Sequence, residues 1–459
     1  MTSTYQEEPS NFQRSLTTDR DDRGNRGGGV SGTATLAGLA GQTSGEDVAV
    51  ALRRNGAGGQ TRATERYVER LRRSTGVAMK AGQMRPDVKT PLEPVCWDDQ
   101  HHGYVVNGFE EATVVLRGGA GWSSNPVNKL GASAESEGGP RLPMLGAGIV
   151  LMDPPDHTRL RSLLRPAFSP RVIERLRPRV IAIVNTVLDG LEDADEADIV
   201  ADVGLVVTVS VMAELFDVGV EGAELFLEQV PRLVRFLEFD PTPEDLQATA
   251  EAVAEMTRFL TPIMEKRKGE PGNDFISALL AIEDGLSIDE MLATCFFVMA
   301  AGLDANSNLI SNATLAILRD PAQIPHLLAD PGRAVEELLR MEGTSKQLVR
   351  IAVTDHDLGG HRIPTGQVVF VKVRDANRDP SRAPDAHRMD LAREPLGHLT
   401  FGIGPHFCFG AGLTRLELAE TLVPLFTRFP DLTLTSREPI WRASTSFRGL
   451  QELPVRLRG

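Results

Sequence analysis

Ten residues near the C-terminus constrain this chain more than any other stretch: Phe401-Gly-Ile-Gly-Pro-His-Phe-Cys-Phe-Gly410. One cysteine, Cys408, stands in a glycine-rich loop, and the next sixteen residues, 411–426, carry apolar side chains at helical spacing. The sulfur therefore faces a helix N-terminus, where unpaired N–H groups and the positive end of the dipole lower a thiol pKa. Gly402, Gly404 and Gly410 let the backbone close around it, because glycine alone takes positive φ without strain. Such a loop suits a large flat group held against the sulfur. A cysteine taken alone is more often a buried small hydrophobe, so the reading rests on what surrounds it.

Composition removes several other classes. Hydrophobic residues make up 41% and charged residues 24%, which supports a large core. With 49 basic against 63 acidic residues, the formal charge of −14 argues against a nucleic-acid partner. Cys96, Cys295 and Cys408 are too few and too scattered for a disulfide framework or a zinc site, and imply a reducing, cytoplasmic compartment. The start, Met1-Thr-Ser-Thr-Tyr-Gln-Glu-Glu8, lacks the basic and apolar regions of a signal peptide. The longest apolar-looking run, 292–303, falls short of the roughly 18 to 20 residues a membrane span needs, so no anchor is expected.

Residues 1–60 are rich in Gly, Ser, Thr, Arg and Asp and read as a disordered extension. Residues 61–459 read as a single domain. Helical spacing begins at 65–73, two short strands follow at 94–97 and 104–106, and a helix at 109–116. His101 and His102 fit a turn between the strands better than a metal site. The glycine- and serine-rich stretch 118–148 is long enough to be a functional loop. His157 and Arg161 stand four apart behind Asp153-Pro-Pro155 and share a helix face, a clamp for an anion. Helices are expected at 172–191 and 203–216, with Asp274 capping another.

Ser287-Ile-Asp-Glu290 has the capping-box form and opens a proline-free run to about residue 318. Roughly 30 residues at 1.5 Å each extend about 45 Å, enough to cross a domain. Within it, Ala300, Ala301 and Gly302 leave room for something flat, and Asp304 would be costly to bury without a partner. Glu337 and Arg340 meet at i,i+3, a common pairing worth little alone. Residues 347–353 read as a strand with Arg350 in its middle, 358–370 as a hairpin, and 432–435 and 450–457 as closing strands.

Taken in chain order, Asp153-Pro-Pro-Asp-His-Thr-Arg-Leu-Arg161, Ala301-Gly-Leu-Asp-Ala305, Glu337-x-x-Arg340 and the 401–410 loop resemble the cytochrome P450 family. The resemblance covers about residues 90–459. It implies a mainly α fold with small β-sheets, with haem b between the long distal helix and the helix after the cysteine loop. It makes Cys408 the thiolate ligand of iron. His157, Arg161, Arg350 and His406 are then the residues that hold the propionates, with Ala301, Phe401 and Gly402 beside the haem. Asp304, Ala305 and Asn306 fall in the segment that serves dioxygen activation. Glu337 and Arg340 would lock the cysteine loop together with Arg388, or with Arg393 as the second choice. The loop at 118–148 would cover the distal side, and apolar residues around 226–239 would face either substrate or core.

The implied activity is that of a monooxygenase hydroxylating a small organic substrate with O2, in specialised metabolite biosynthesis. Electrons would come from a separate ferredoxin and ferredoxin reductase, since no flavin or iron–sulfur segment follows in the chain. One departure stands out. Ala305 occupies the place where the family usually has threonine, so protons must come through water, a substrate hydroxyl, Asn306 or Asp304. Alternatively, the chemistry is oxidative coupling, desaturation or rearrangement. A haem protein that binds without turnover is a third reading, against which the retained Asp304, Glu337, Arg340 and Cys408 weigh.

Overall fold

The computed structural model describes residues 44–53, 66, 93–99, 101–119, 121–129, 148–237, 242–282, 285–435, 438–442, 444 and 446–459. All but the first 40 residues belong to one compact unit, 41–459. The helices used below are α1 Gly45–Arg53, α2 Phe109–Arg117, α3 Asp156–Leu164, α4 Pro170–Asp189, α5 Leu205–Phe216, α6 Gly219–Leu233 and α7 Pro243–Gly269. They continue with α8 Phe275–Leu280, α9 Ile288–Arg319, α10 Ile324–Ala329, α11 Pro331–Glu342, α12 Val373–Ala376 and α13 Ala411–Arg428.

The longest element is α9, of 32 residues. Its capping box forms as the sequence implies: the Ser287 hydroxyl accepts from the Glu290 N–H at 3.2 Å, and the Glu290 carboxylate accepts from the Ser287 N–H at 2.9 Å. Asp274 likewise caps α8, accepting from the Ser277 N–H at 2.9 Å. Around α9 pack α5, α6 and α13, joined by Leu309, Ile310, Val207, Leu227 and Leu422 in one apolar core. Within α5, Leu205, Val206, Val207, Val209 and Val211 are all buried, as a helix apolar on every side must be. A π-helical turn at Ile199–Gly204 leads into it.

That apolar stretch corrects the membrane reading in detail. Among the described residues, a run long and apolar enough to cross a membrane by length and composition is Ile199–Phe216, longer than 292–303, and it is 89% buried inside the protein. It is a core helix here.

The largest sheet has strand order β1-β2-β8-β5-β3, from β1 Val95–Asp98, β2 Gly103–Val106, β3 Trp122–Ser123, β5 Leu348–Ala352 and β8 Val368–Val371. The β2–β8 pairing is parallel and the others are antiparallel. The hairpin expected over 358–370 is shorter than its sequence span. Strands β6 His356–Leu358 and β7 His361–Ile363 turn at Gly359 and Gly360, with φ of +54° and +80°, while β8 leaves to join the large sheet. Near the C-terminus, β11 Leu450–Glu452 pairs with β10 Ile440–Trp441. Strand β12 Pro454–Arg456 pairs with β4 Glu196–Asp198 and β9 Thr433–Leu434.

Most of the expected N-terminal extension, the helix at 65–73 and the loop segment 130–147 lie outside the described residues. At 44–53 the expectation of disorder fails. Residues Val48, Ala49 and Leu52 of α1 are fully buried, in the core shared with α4, α5 and α6. The Gly45 N–H donates to Glu214 at 2.7 Å, and a Cβ on Gly45 would lie 2.5 Å from Ile183 Cδ1, so the helix start sits tight against α4 and α5. Three apolar residues on one face suffice because a preformed groove receives them. Residues Phe226, Leu227, Val230 and Leu233 of α6 also point into the core, which decides their orientation.

The α1 packing generates a first prediction. Leu52→Ala should lower unfolding free energy by about 2–5 kcal/mol, the usual cost of a buried leucine truncation, as read from denaturant unfolding. A loss under about 0.5 kcal/mol would mean that α1 does not dock.

Candidate active site

The cysteine loop is closed by its own backbone. The Cys408 N–H donates to the Phe401 carbonyl at 2.9 Å, and the Gly402 N–H to the Leu399 carbonyl at 2.8 Å. Gly402 and Gly404 have φ of +67° and +78°. At Gly404 a Cβ would lie 2.8 Å from Arg117 Cα and carbonyl oxygen, so only glycine lets the loop press on the end of α2. Gly410 differs from expectation. Its φ is −74°, ordinary right-handed backbone at the start of α13, and a Cβ there would stand 3.8 Å from Cys408 Sγ, an ordinary contact, so neither backbone nor space demands glycine.

Cys408 lies deep among protein atoms, yet its surface remains accessible. Burial raises its thiol pKa, opposed by the N–H groups of Gly410 and Ala411 and by Arg161 and Arg415. Desolvation therefore outweighs the helix N-terminus, contrary to the lowered pKa the sequence suggests. A metal cation at the sulfur would reverse that balance, since a coordinating thiol is deprotonated.

Beside this loop converge the four expected donors. His157 is buried, and neither ring nitrogen has a hydrogen-bond partner among the described residues. Its ring centroid lies 4.1 Å from that of His406, whose Nε2 is 3.2 Å from Ser124 Oγ. Arg161 donates to the Phe407 carbonyl at 2.7 Å, with its guanidinium 4.3 Å above the Phe409 ring. Arg350, buried in β5, donates to the Val349 carbonyl at 2.8 Å.

The electrostatics of this cluster are one-sided. Burial, then Arg350, His157 and Arg161, push His406 down to about 3; burial pushes Arg350 down to about 10 against the pull of Asp153. His157 is lowered by burial and by Arg161. Asp153 is already engaged by Ser123, by the Ser124 N–H at 2.8 Å and by Asn128. The orphaned ring nitrogens of His157 and the two arginines that depress their histidine neighbours are donors suited to an external anion. The propionates of a haem ligated by Cys408 fit it.

On α9 the half-exposed positions are Phe297, Val298, Ala301, Gly302 and Ala305, while their neighbours from Met291 to Leu309 are otherwise buried. Ala301 and Ala305, four apart, lie on one accessible face. The expected gap beside Ala300, Ala301 and Gly302 is smaller than the sequence implies. Ala300 is buried, and the place of a Gly302 Cβ is taken by Met212, whose Sδ would be 3.0 Å away.

Asp304 and Asn306 both turn away from that face. Asp304 is buried and accepts from Arg442 Nη1 at 2.7 Å. Asn306 Oδ1 accepts from the Thr414 hydroxyl at 2.8 Å, toward α13. One turn beyond Thr414 stands Glu417, fully buried, its pKa pushed up to about 8 by burial and eased by Asn306. Sequence reasoning missed Arg442, which is distant in the chain. It also missed Glu417, although an acid among the apolar positions of α13 was a visible signal.

Glu337 and Arg340 form a buried pair at 2.7 and 2.8 Å. Arg340 Nη1 donates to the Asn377 and Ala386 carbonyls at 2.7 and 2.5 Å, and its Nη2 to the Arg388 carbonyl at 3.2 Å. The third member is Arg393 rather than Arg388. Arg393 Nε reaches Glu337 at 3.4 Å and its guanidinium pairs with Asp385 at 2.8 and 2.9 Å, whereas the Arg388 side chain is exposed and only its carbonyl takes part. His101 pairs with Asp98 at 2.7 Å in the turn between β1 and β2.

A mainly helical fold with Cys408 in a glycine-closed loop and His157, Arg161, Arg350 and His406 beside it has the arrangement of the haem-thiolate class that the sequence resembles. The cytochrome P450 family model matches residues 136–327 and 332–448. Cytochrome P450 107B1 of Saccharopolyspora erythraea is 38% identical over 68% of this chain and 78% of its own length. The 6-deoxyerythronolide B hydroxylase of the same organism is 35% identical over 80% and 93%. The solved structure of P450BioI in complex with hexadec-9Z-enoic acid ligated acyl carrier protein superposes with a TM-score of 0.73 at 31% identity, covering 79% of this chain and 95% of that one. The chain belongs to the cytochrome P450 family and is a monooxygenase, with the family's haem-thiolate cofactor and its use of O2 and small-molecule substrates.

Glu417 gives a pH-dependent prediction. An acid whose folded pKa is raised holds its proton in the native state between about pH 4.5 and 8 while the unfolded chain has lost it. Its contribution is therefore complete below pH 4.5 and falls, by at most about 1.4 kcal/mol per pH unit, as pH rises through 8. Glu417→Gln should flatten that decline in denaturant unfolding followed from pH 5 to 9. An unchanged slope would contradict a neutral buried acid.

Proposed function

We propose that this chain hydroxylates a small organic substrate in specialised metabolite biosynthesis, using haem b. The observation that carries the reading is the convergence of His157, Arg161, Arg350 and His406 beside the Cys408 loop, with both His157 ring nitrogens unpaired among the described residues and Asp153 already held by Ser123, Ser124 and Asn128. Cys408 would ligate the iron, the four donors would take the propionates, and Phe401, Gly402 and Ala301 would line the macrocycle. When bound, a thiolate-ligated haem supplies dioxygen activation for insertion of one oxygen atom into a C–H bond.

The protein's own contribution is to position and to exclude water. Glu337, Arg340 and Arg393 brace the segment that carries the cysteine loop, with Asn377 and Ala386 as carbonyl anchors. On α9, Ala301 and Ala305 keep the accessible face small and apolar, and Asp304 is the acid nearest in sequence to it. Ala305 offers no hydroxyl, so protons come through Asp304, through water or through the substrate itself. Electrons would arrive from a ferredoxin and its reductase in the cytoplasm. The name of one relative, 6-deoxyerythronolide B hydroxylase, supports hydroxylation of a specialised metabolite, without fixing which one.

Turnover under 18O2 with a ferredoxin, its reductase and a panel of macrolactones and other specialised metabolites tests the proposal. Hydroxylation predicts a product carrying one labelled oxygen atom. An oxidised product without label would move the reading to coupling or desaturation, and no oxidised product from any substrate that shifts the Soret band would contradict catalysis.

A further inference from the structure

The abruptly polar middle of α9 has a partner that lies far away in sequence. Asp304, Asn308 and Asn312 stand four residues apart and form one stripe on the helix, and all three are buried. Against the stripe lies the C-terminal hairpin of β10 and β11. Arg442 Nη1 donates to Asp304 Oδ1 at 2.7 Å and reaches Asn308 Oδ1 at 3.4 Å, and Asn312 Nδ2 donates to the Arg448 carbonyl at 3.1 Å. Asn308 also explains Gly449, where a Cβ would lie 2.1 Å from Asn308 Oδ1.

The hairpin itself is firmly held. The Arg442 N–H donates to the Gly449 carbonyl at 2.9 Å, the Arg448 guanidinium lies 4.1 Å above the Trp441 ring, and Arg448 pairs with buried Glu342. Buried polar groups persist only when such partners are in place. The stripe is thus a docking rail, and its one ion pair falls on the acid next to Ala305.

We propose that Arg442 is a positioning residue for the monooxygenase reaction. Through the pair it fixes the Asp304 carboxylate on the hairpin side of α9, away from the accessible face of Ala301 and Ala305. Rotation of the acid toward that face must break a pair whose members are 6% and 2% exposed, and proton exchange at Asp304 takes place beside a fixed positive charge. The inference rests on the reading of Asp304 as the acid that serves dioxygen activation. A buried carboxylate that loses its cation takes up a proton rather than stay charged, which makes the pair observable without turnover.

The test uses the purified haem-loaded protein and the variants Arg442→Met, Arg442→Lys, Asp304→Asn and the Met/Asn double variant. At neutral pH, Arg442→Met should show an additional infrared carbonyl stretch of a protonated carboxylic acid, beyond the one that neutral Glu417 gives every variant, absent from the wild type and Arg442→Lys and abolished in the double variant. Arg442→Met should lower the thermal midpoint, and adding Asp304→Asn should recover most of the loss. The fraction of consumed dioxygen that appears as product should fall severalfold in Arg442→Met and return in Arg442→Lys.

No new carbonyl band, or additive losses of thermal stability, would overturn the positioning role even if Arg442→Met folds poorly, because the double variant is then no better. Unchanged use of dioxygen in Asp304→Asn, with the infrared result as expected, would instead overturn the role of Asp304 and with it the catalytic meaning of the pair.

Discussion

Positive charge crowded beside the cysteine loop is the constraint on which the rest of the structure depends. His157 comes from α3, Arg350 from β5, Arg161 from the far end of α3 and His406 from the loop itself, so three separate parts of the chain must meet for the cluster to exist. Burial lowers all four donors, and Arg161 and Arg350 depress the two histidines further. A dianionic cofactor edge would relieve that cost and would couple cofactor retention to the packing of α3, β5 and the loop.

A second buried network holds the scaffold in register around that site. Arg340 spends its guanidinium on Glu337 and on the carbonyls of Asn377, Ala386 and Arg388, while Arg393 bridges Glu337 to Asp385. Removing one member of such a set leaves buried charge uncompensated, typically about 3–5 kcal/mol. The same logic applies at the other side of α9, where Arg442 meets Asp304. Both networks join a helix of the bundle to a segment distant from it in the chain.

Local signals in the sequence proved readable. The capping box at Ser287, the Asp274 cap, the positive φ of Gly402 and Gly404 and the i,i+4 spacing of His157 and Arg161 on α3 each act within a few residues, so spacing alone constrains them. What escaped was decided by distance or by burial. Whether Arg388 or Arg393 completes the set at Glu337 depends on how an irregular segment folds back. Helix α1 is stable only because α4, α5 and α6 form its groove. The direction of the Cys408 thiol shift reflects desolvation, a property of the whole neighbourhood, which overrode the helix N-terminus visible in the sequence.

The account stands or falls on what Cys408 and the cationic cluster hold. The most direct measurement is the absorption spectrum of the purified protein after reduction under carbon monoxide. The account predicts a Soret band at the position characteristic of thiolate-ligated haem. A band at the position of histidine-ligated haem, or a protein that retains no haem at all, would contradict it.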